Sequence, residues 1–263
     1  MKSLSIVLSF SLLTLLFSCS SESPSNATNS AKKSSPNAIE QEYDLLIAAI
    51  ENNPDLTVMK SLAFNDNAGS TIQAIVFFDQ FGNEVKMEEK YSDIETGNYG
   101  TSTFYFKEGR LFASKEIYHD EQRKKPTFVE RISYYDSIPK VKLSKERTTF
   151  YEEDLPNAQF KAVQPVACSF DRAMRALNEE GEFLTTFQGF ITNGDMEYIL
   201  VGENSENGFV SSLSITYKDP ILEKLKSNER KYLGTLLEVE FQEAEDVSGM
   251  NYQLLTSIKL RKK

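Results

Sequence analysis

Residues 77–85 read FFDQFGNEV, residues 105–111 read YFKEGRL and residues 134–141 read YYDSIPKV. Each stretch joins aromatic residues to a short polar turn with Gly or Pro, and then to a charged return segment such as residues 85–91 or 111–118. Aromatic and β-branched residues favour strands, and Gly or Pro between two such runs favours a hairpin turn. The recurrence at a regular interval therefore predicts three hairpins in series, an antiparallel β-meander of about six strands.

Before the meander, residues 39–52 have the pattern of an amphipathic helix. Apolar residues recur at spacings of three and four, which places them on one helical face. These residues are Ile39, Tyr43, Leu46, Ile47 and Ile50. Pro54 follows and is expected to end the helix. We expect the helix to pack on the sheet, and residues 39–160 to form one domain.

The last part of the chain, residues 161–263, predicts a short helix at 169–178 that Gly181 ends, followed by five strands. The strands are expected at 183–192, 197–202, 208–217, 235–242 and 252–260. A helix begins at Asp219-Pro220, an N-cap followed by proline, between the third and fourth strands. This order resembles the OB-fold, a small Greek-key barrel. The fold class predicted for the whole chain is mainly β (α+β), with an N-terminal helix, a meander and an OB-like β-barrel domain.

The N-terminus reads as a secretory signal. Residues 4–17 are mostly apolar behind Lys2, and the run is too short for a membrane span, which needs roughly 20 residues. Leu16-Phe17-Ser18-Cys19 resembles the lipobox of bacterial lipoproteins, although Phe17 is bulkier than is usual there. The resemblance implies cleavage after residue 18 and attachment of lipid, including acyl chains such as palmitate, to Cys19. Residues 19–38 are rich in Ser, Asn and Pro, and we expect a disordered tether.

The same resemblance predicts where the protein resides. Ser20 follows the cysteine at the position where aspartate indicates inner-membrane retention in this family. We therefore expect a lipid-anchored protein of the bacterial cell envelope, in the outer rather than the inner membrane. The formal net charge of −10 argues against nucleic acid as a partner, because nucleic-acid binding needs clustered Lys and Arg.

Few residues are available for catalysis or for binding a metal. The chain has one histidine, His119, so a site with several imidazoles is excluded, and we expect no metal or other cofactor. A Ca²⁺ site built from Asp93, Glu95 and Asp120 is a weaker alternative. If Cys19 carries lipid, Cys168 has no partner for a disulfide, and we expect it to be a small buried residue. We predict that the chain is not an enzyme.

The large number of aromatic residues, 18 Phe and 12 Tyr, is the remaining signal. They are expected to fill the core of a thin sheet, or to form a groove on one of its faces. The predicted function is non-catalytic binding or scaffolding of another envelope component, protein or lipid. The alternative is a periplasmic carrier of a lipid or lipoprotein acyl chain, since a meander that holds a helix resembles such carriers over residues 56–151. An envelope hydrolase is the third and weakest reading.

Overall fold

The structure is a computed structural model that describes residues 36–136, 140–205, 208–246 and 249–261. The predicted signal peptide and Cys19 lie outside these residues. The helices are α1 (Pro36–Glu51), α2 (Asp171–Asn178), α3 (Pro220–Ser227) and α4 (Glu229–Tyr232), and short 3-10 helices span Glu152–Asn157 and Gly181–Phe183. The strands are β1 (Thr57–Lys60), β2 (Phe64–Asn65), β3 (Thr71–Phe78), β4 (Glu84–Ser92), β5 (Tyr99–Lys107), β6 (Arg110–Asp120), β7 (Thr127–Tyr135), β8 (Val141–Thr149), β9 (Lys161–Val163), β10 (Thr186–Asn193), β11 (Met196–Gly202), β12 (Val210–Ile215), β13 (Leu237–Glu245) and β14 (Asn251–Leu260).

The mainly-β class is confirmed, and so are the three hairpins. Strands β3 to β8 each pair antiparallel with the next, which gives the predicted meander. The short strand β9 extends it beyond β8, and both β1 and β2 pair with β3 at the other side.

One sheet continues from the meander into the C-terminal strands. Val210 of β12 pairs antiparallel with Asn65 of β2, and β11 and β10 follow beyond β12. The resulting order, β10-β11-β12-β2-β3-β4-β5-β6-β7-β8-β9, is that of an open sheet. All described residues belong to one compact unit. The predicted boundary between residues 160 and 161 stays a prediction, and the sheet crosses it.

Helix α1 packs on one face of the meander, as its apolar stripe predicts; we call this the α1 face. Its partly buried residues Tyr43, Leu46, Ile47 and Ile50 contact a buried cluster of Tyr105, Phe112, Ala113 and Tyr134. The phenol of Tyr105 donates to the Glu51 carboxylate at 2.6 Å, and that of Tyr134 donates to Asp44 at 2.5 Å. Hydrogen bonds to carboxylates are among the stronger ones, so they fix the helix at one end of this face.

The opposite face, which we call the α2 face, forms the larger core. Buried residues of the meander such as Met87 and Phe104 share one cluster with Ala173 of α2 and with Leu213 and Leu255 of the C-terminal strands. Phe170, which precedes α2, packs edge-on against the Phe104 ring at 5.7 Å. The meander and the C-terminal strands therefore share a core.

Two helix ends show where local sequence rules succeed and fail. The Asp219 carboxylate accepts from the backbone N–H of Ile221 at 2.7 Å, so the predicted N-cap of α3 is confirmed. The prediction that Gly181 ends α2 is wrong: α2 ends at Asn178, and Glu179 follows it with a left-handed backbone, φ +54°. The N–H of Glu180 donates to the Arg175 carbonyl at 2.9 Å and closes the last turn.

Within the described ranges, none of the helices combines the length and the hydropathy that a membrane span requires.

Candidate binding site

A single row of side chains crosses the α1 face at the end far from α1. Residues paired directly across a ladder point to the same face of a sheet, so the pairing register defines the row. We call it the outer row; in strand order from β2 it comprises Asn65, Thr71, Ser92, Tyr99, His119, Phe128 and Thr149.

The centre of the outer row is a stack of three rings. The rings of Tyr99 and His119 are nearly parallel, with centroids 5.1 Å apart, and the Phe128 ring lies 4.7 Å beyond His119. The Tyr99 side chain is 46% exposed, although its inner face is covered by His119. The outer face of Tyr99 therefore points along the row toward Ser92, where the side chains are small.

A cavity of about 670 Å³ lies beside this stack; we call it the row cavity. The outer row, except for Ser92 and Thr149, lines one part of it. A second row two residues further along each strand lines another part, and it consists of Gln73, Lys90, Thr101 and Ile117. Glu152, from the 3-10 helix Glu152–Asn157, closes one side.

The 3-10 helix is held against the sheet by packing and by a hydrogen bond. The Leu155 side chain is buried, and Arg147 of β8 donates to the Pro156 carbonyl at 3.0 Å. Leu155 thus anchors an otherwise polar segment, EEDLPN, on the sheet.

Polar groups in the row cavity are not fully used by the protein. Lys90 forms no salt bridge with any described residue, whereas Glu88 is paired with Lys86 at 3.1 Å. His119 Nδ1 is buried and lies 3.5 Å from the Glu121 carboxylate, without a hydrogen bond among the residues described. A lysine without a salt bridge beside an aromatic wall is typical of a ligand site, in which a few polar groups orient the ligand.

A second pocket, of about 500 Å³, lies on the α2 face and contains two glutamates and Cys168. Burial raises the pKa of the Glu116 carboxyl, although Arg131 at 3.5 Å opposes the shift. The other carboxylate, Glu89, accepts from the Arg172 guanidinium. Both carboxylates thus have a cationic partner, which is the arrangement of structural ion pairs.

Cys168 is unsuited to be a nucleophile where it lies. Burial, with Glu116 adding to the effect, raises the pKa of its thiol to about 12, so the thiol stays protonated at neutral pH. Cys168 is half-buried on the α2 face and forms no disulfide. His119 lies on the α1 face, so the sheet separates the thiol from the imidazole.

The residues considered for Ca²⁺ serve as turn residues instead. Asp93 accepts from the backbone N–H of Glu95 at 3.0 Å, and Asp120 accepts from the Arg123 guanidinium at 2.9 Å. No group of three or more His, Cys, Asp or Glu side chains is arranged to bind a metal in the part of the chain that is described.

Comparison of the chain with protein-family models, with curated proteins and with solved structures finds no match. The function is therefore inferred from the residues of the site itself.

Proposed function

We propose that the chain is a lipid-anchored protein of the bacterial cell envelope with a non-catalytic binding role, and that its ligand occupies the row cavity. The observation that carries the proposal is the ring stack of Tyr99, His119 and Phe128, which holds an exposed aromatic face beside a large cavity. Because the three rings hold each other in place before a ligand binds, less side-chain entropy is lost on binding.

The anchor part of the proposal rests on the resemblance of Leu16-Phe17-Ser18-Cys19 to a lipobox. Several acyl chains at about 0.8 kcal/mol per buried methylene hold a folded domain on a bilayer without a spanning helix. By the same resemblance, Ser20 favours the outer membrane over the inner membrane.

We also propose that β10 to β14 form an OB-like barrel. Two pairings support it: Ser214 of β12 pairs parallel with Leu254 of β14, and Thr186 of β10 forms an antiparallel bridge with Leu236. Around that bridge, the Leu237 N–H donates to the Thr185 carbonyl at 2.9 Å. In such a barrel, the bonds that join β10 to the start of β13 are the ones that close it.

The row cavity suits a ligand with polar groups better than an acyl chain. A carrier of acyl chains needs a continuous apolar lining, whereas Gln73, Lys90 and Thr101 interrupt the apolar part of this one, to which Ile117 and Phe128 belong. Burying such groups under hydrocarbon costs about 1–3 kcal/mol for each one left unsatisfied.

Native mass spectrometry of the full chain, purified from its own envelope, tests the proposal. We expect a retained small molecule on the wild type and its loss in Tyr99→Ala. Tyr151→Ala is the matched control, because Tyr151 is an exposed tyrosine that does not line the row cavity. A wild-type chain without ligand, or a ligand kept equally by Tyr99→Ala, contradicts the site.

Fractionation of cells that express Cys19→Ser tests the anchor separately. We expect the variant to leave the membrane fraction, because the acylated thiol is gone. If the Cys19→Ser variant stayed in the membrane fraction, the lipid anchor would be contradicted, whereas the proposed binding site would not be affected.

A further inference from the structure

The Tyr99 ring is a partly exposed aromatic wall of the row cavity. One ring face is covered by His119, which is itself backed by Phe128 at 4.7 Å, so the wall cannot tilt inward. The other face looks over Ser92 and Thr71, whose hydroxyls are hydrogen-bonded to each other at 2.9 Å. These small side chains leave room for one ring-shaped group to lie against Tyr99.

Hydrogen-bonding groups surround that space on adjacent strands. Asn65, Gln73, Lys90 and Thr101 stand on β2, β3, β4 and β5, and all four line the cavity. Between them they provide amide, ammonium and hydroxyl groups, both donors and acceptors. Gln73 gives one amide hydrogen to Glu243 at 3.1 Å, which fixes the orientation of its side chain. The ligand that matches has one flat apolar face and a rim of polar groups.

Charge narrows the class of ligand. The cavity lining carries one cation, Lys90, which has no salt-bridge partner among the described residues, and two carboxylates, those of Glu88 and Glu152. With both signs present, the site favours a neutral ligand, or one with a single acidic group placed beside Lys90, over a multiply charged one. A nucleotide, which also has a flat ring, carries several charges on its phosphates and would meet one lysine in a chain whose net charge is −10. An acyl chain would leave the polar groups of the cavity without partners.

We propose that the row cavity binds a saccharide, with the C–H face of a pyranose ring packed on the outer face of Tyr99. The ring hydroxyls exchange hydrogen bonds with Asn65, Gln73 and Thr101, and Lys90 binds a hydroxyl or a uronic carboxylate. This inference rests on the proposed binding function and specifies the ligand of the same site.

Saturation-transfer NMR on the full chain tests it with three soluble probes: maltotriose, N,N′-diacetylchitobiose and digalacturonic acid. We expect millimolar or tighter binding of at least one probe, with saturation concentrated on the ring C–H protons of one sugar residue. Tyr99→Ala should weaken binding tenfold or more, because aromatic stacking is lost. Tyr99→Phe should keep binding within a few fold, since it retains the ring, and Tyr151→Ala should leave it unchanged.

The outcomes separate this inference from the proposed function. If none of the three probes binds, or if Tyr99→Ala binds the responding probe as the wild type does, the saccharide inference is overturned. The proposed function survives that result if native mass spectrometry still finds a Tyr99-dependent ligand whose fragmentation yields no sugar. If a probe binds and Lys90→Met weakens only digalacturonic acid, the acidic saccharide is the class that the site prefers.

Discussion

Gly100 shows at the scale of one residue how closely β5 and β6 approach behind the row cavity. It lies between Tyr99 and Thr101, and a Cβ placed on it would come within 2.3 Å of the Ile117 carbonyl oxygen. The same Cβ would lie 2.6 Å from the Cβ of Tyr118. Backbone atoms are the obstacle, so a side chain at this position cannot be accommodated by a rotamer change.

Gly100→Ala is therefore expected to destabilise the protein. Overpacking of this kind costs typically about 1–3 kcal/mol, and the strands must separate locally to relieve it. Urea unfolding followed by circular dichroism measures the change. Thr101→Ala, the next residue on the strand, is the control and should change stability by about 1 kcal/mol or less. A Gly100→Ala variant as stable as the wild type would show that β5 shifts at no cost.

At the scale of elements, ion pairs connect β6, β7 and β8 on the α2 face. Arg131 contacts Glu116 at 3.5 Å and Glu146 at 2.8 Å. Arg123, from the segment between β6 and β7, reaches the same Glu146 at 2.9 Å. Arg123 is the first of three consecutive cations in the sequence, and it is part of this network.

The two glutamates are expected to affect stability oppositely with pH. Burial by itself raises the pKa of Glu146, but the hydrogen bonds from Arg123 and Arg131 outweigh it and lower the pKa below 4.5. Its contribution is present above the unfolded pKa and is lost as pH falls through the folded pKa. Burial raises the pKa of Glu116 above 4.5, so its contribution is present below the unfolded pKa and is lost as pH rises through the folded pKa.

Unfolding free energies of Glu146→Gln and Glu116→Gln, each compared with the wild type across pH, measure this difference. The deficit of Glu146→Gln should be largest near neutral pH and should shrink as the solution becomes acidic. The deficit of Glu116→Gln should instead shrink as pH rises from acid. Parallel curves for the two variants would contradict the assignment of the two shifts, and the exposed Glu153→Gln serves as a baseline.

The sequence predicts elements well where the signal is local, and poorly where it depends on register. The hairpins, α1, α2 and the Asp219 cap follow from periodicity and turn chemistry within a few residues. The stack of Tyr99, His119 and Phe128 requires the pairing of three strands to be known, and nothing in one hairpin fixes its alignment with the next. In the sequence His119 is only a single histidine, because its ring neighbours Tyr99 and Phe128 are distant in the chain.

At the scale of the whole molecule, the meander and the C-terminal strands share both sheet and core. The Phe64 ring packs against Phe183 at 5.2 Å, and the backbone of Asn65 pairs with Val210. Phe64 is fully buried, so separating the two parts would expose it together with Phe183. The domain boundary predicted between residues 160 and 161 is thus crossed by contacts of the kind that make unfolding cooperative.

We expect the described part of the chain to unfold in one transition, because neither part keeps its core without the other. Hydrogen exchange in increasing urea checks this: peptides from β5 and β6 and peptides from β10 and β11 should lose protection at the same urea midpoint.

Phe64→Ala should lower the free energy of unfolding by about 3–5 kcal/mol, the usual cost of deleting a buried Phe, and should therefore move both midpoints together to lower urea. Phe81→Ala, at a position 79% exposed, should leave them unchanged. Two separate midpoints, with only one moved by Phe64→Ala, would contradict the prediction. They would mean that the meander and the C-terminal strands fold independently and that the contacts around Phe64 join two domains, each stable without the other.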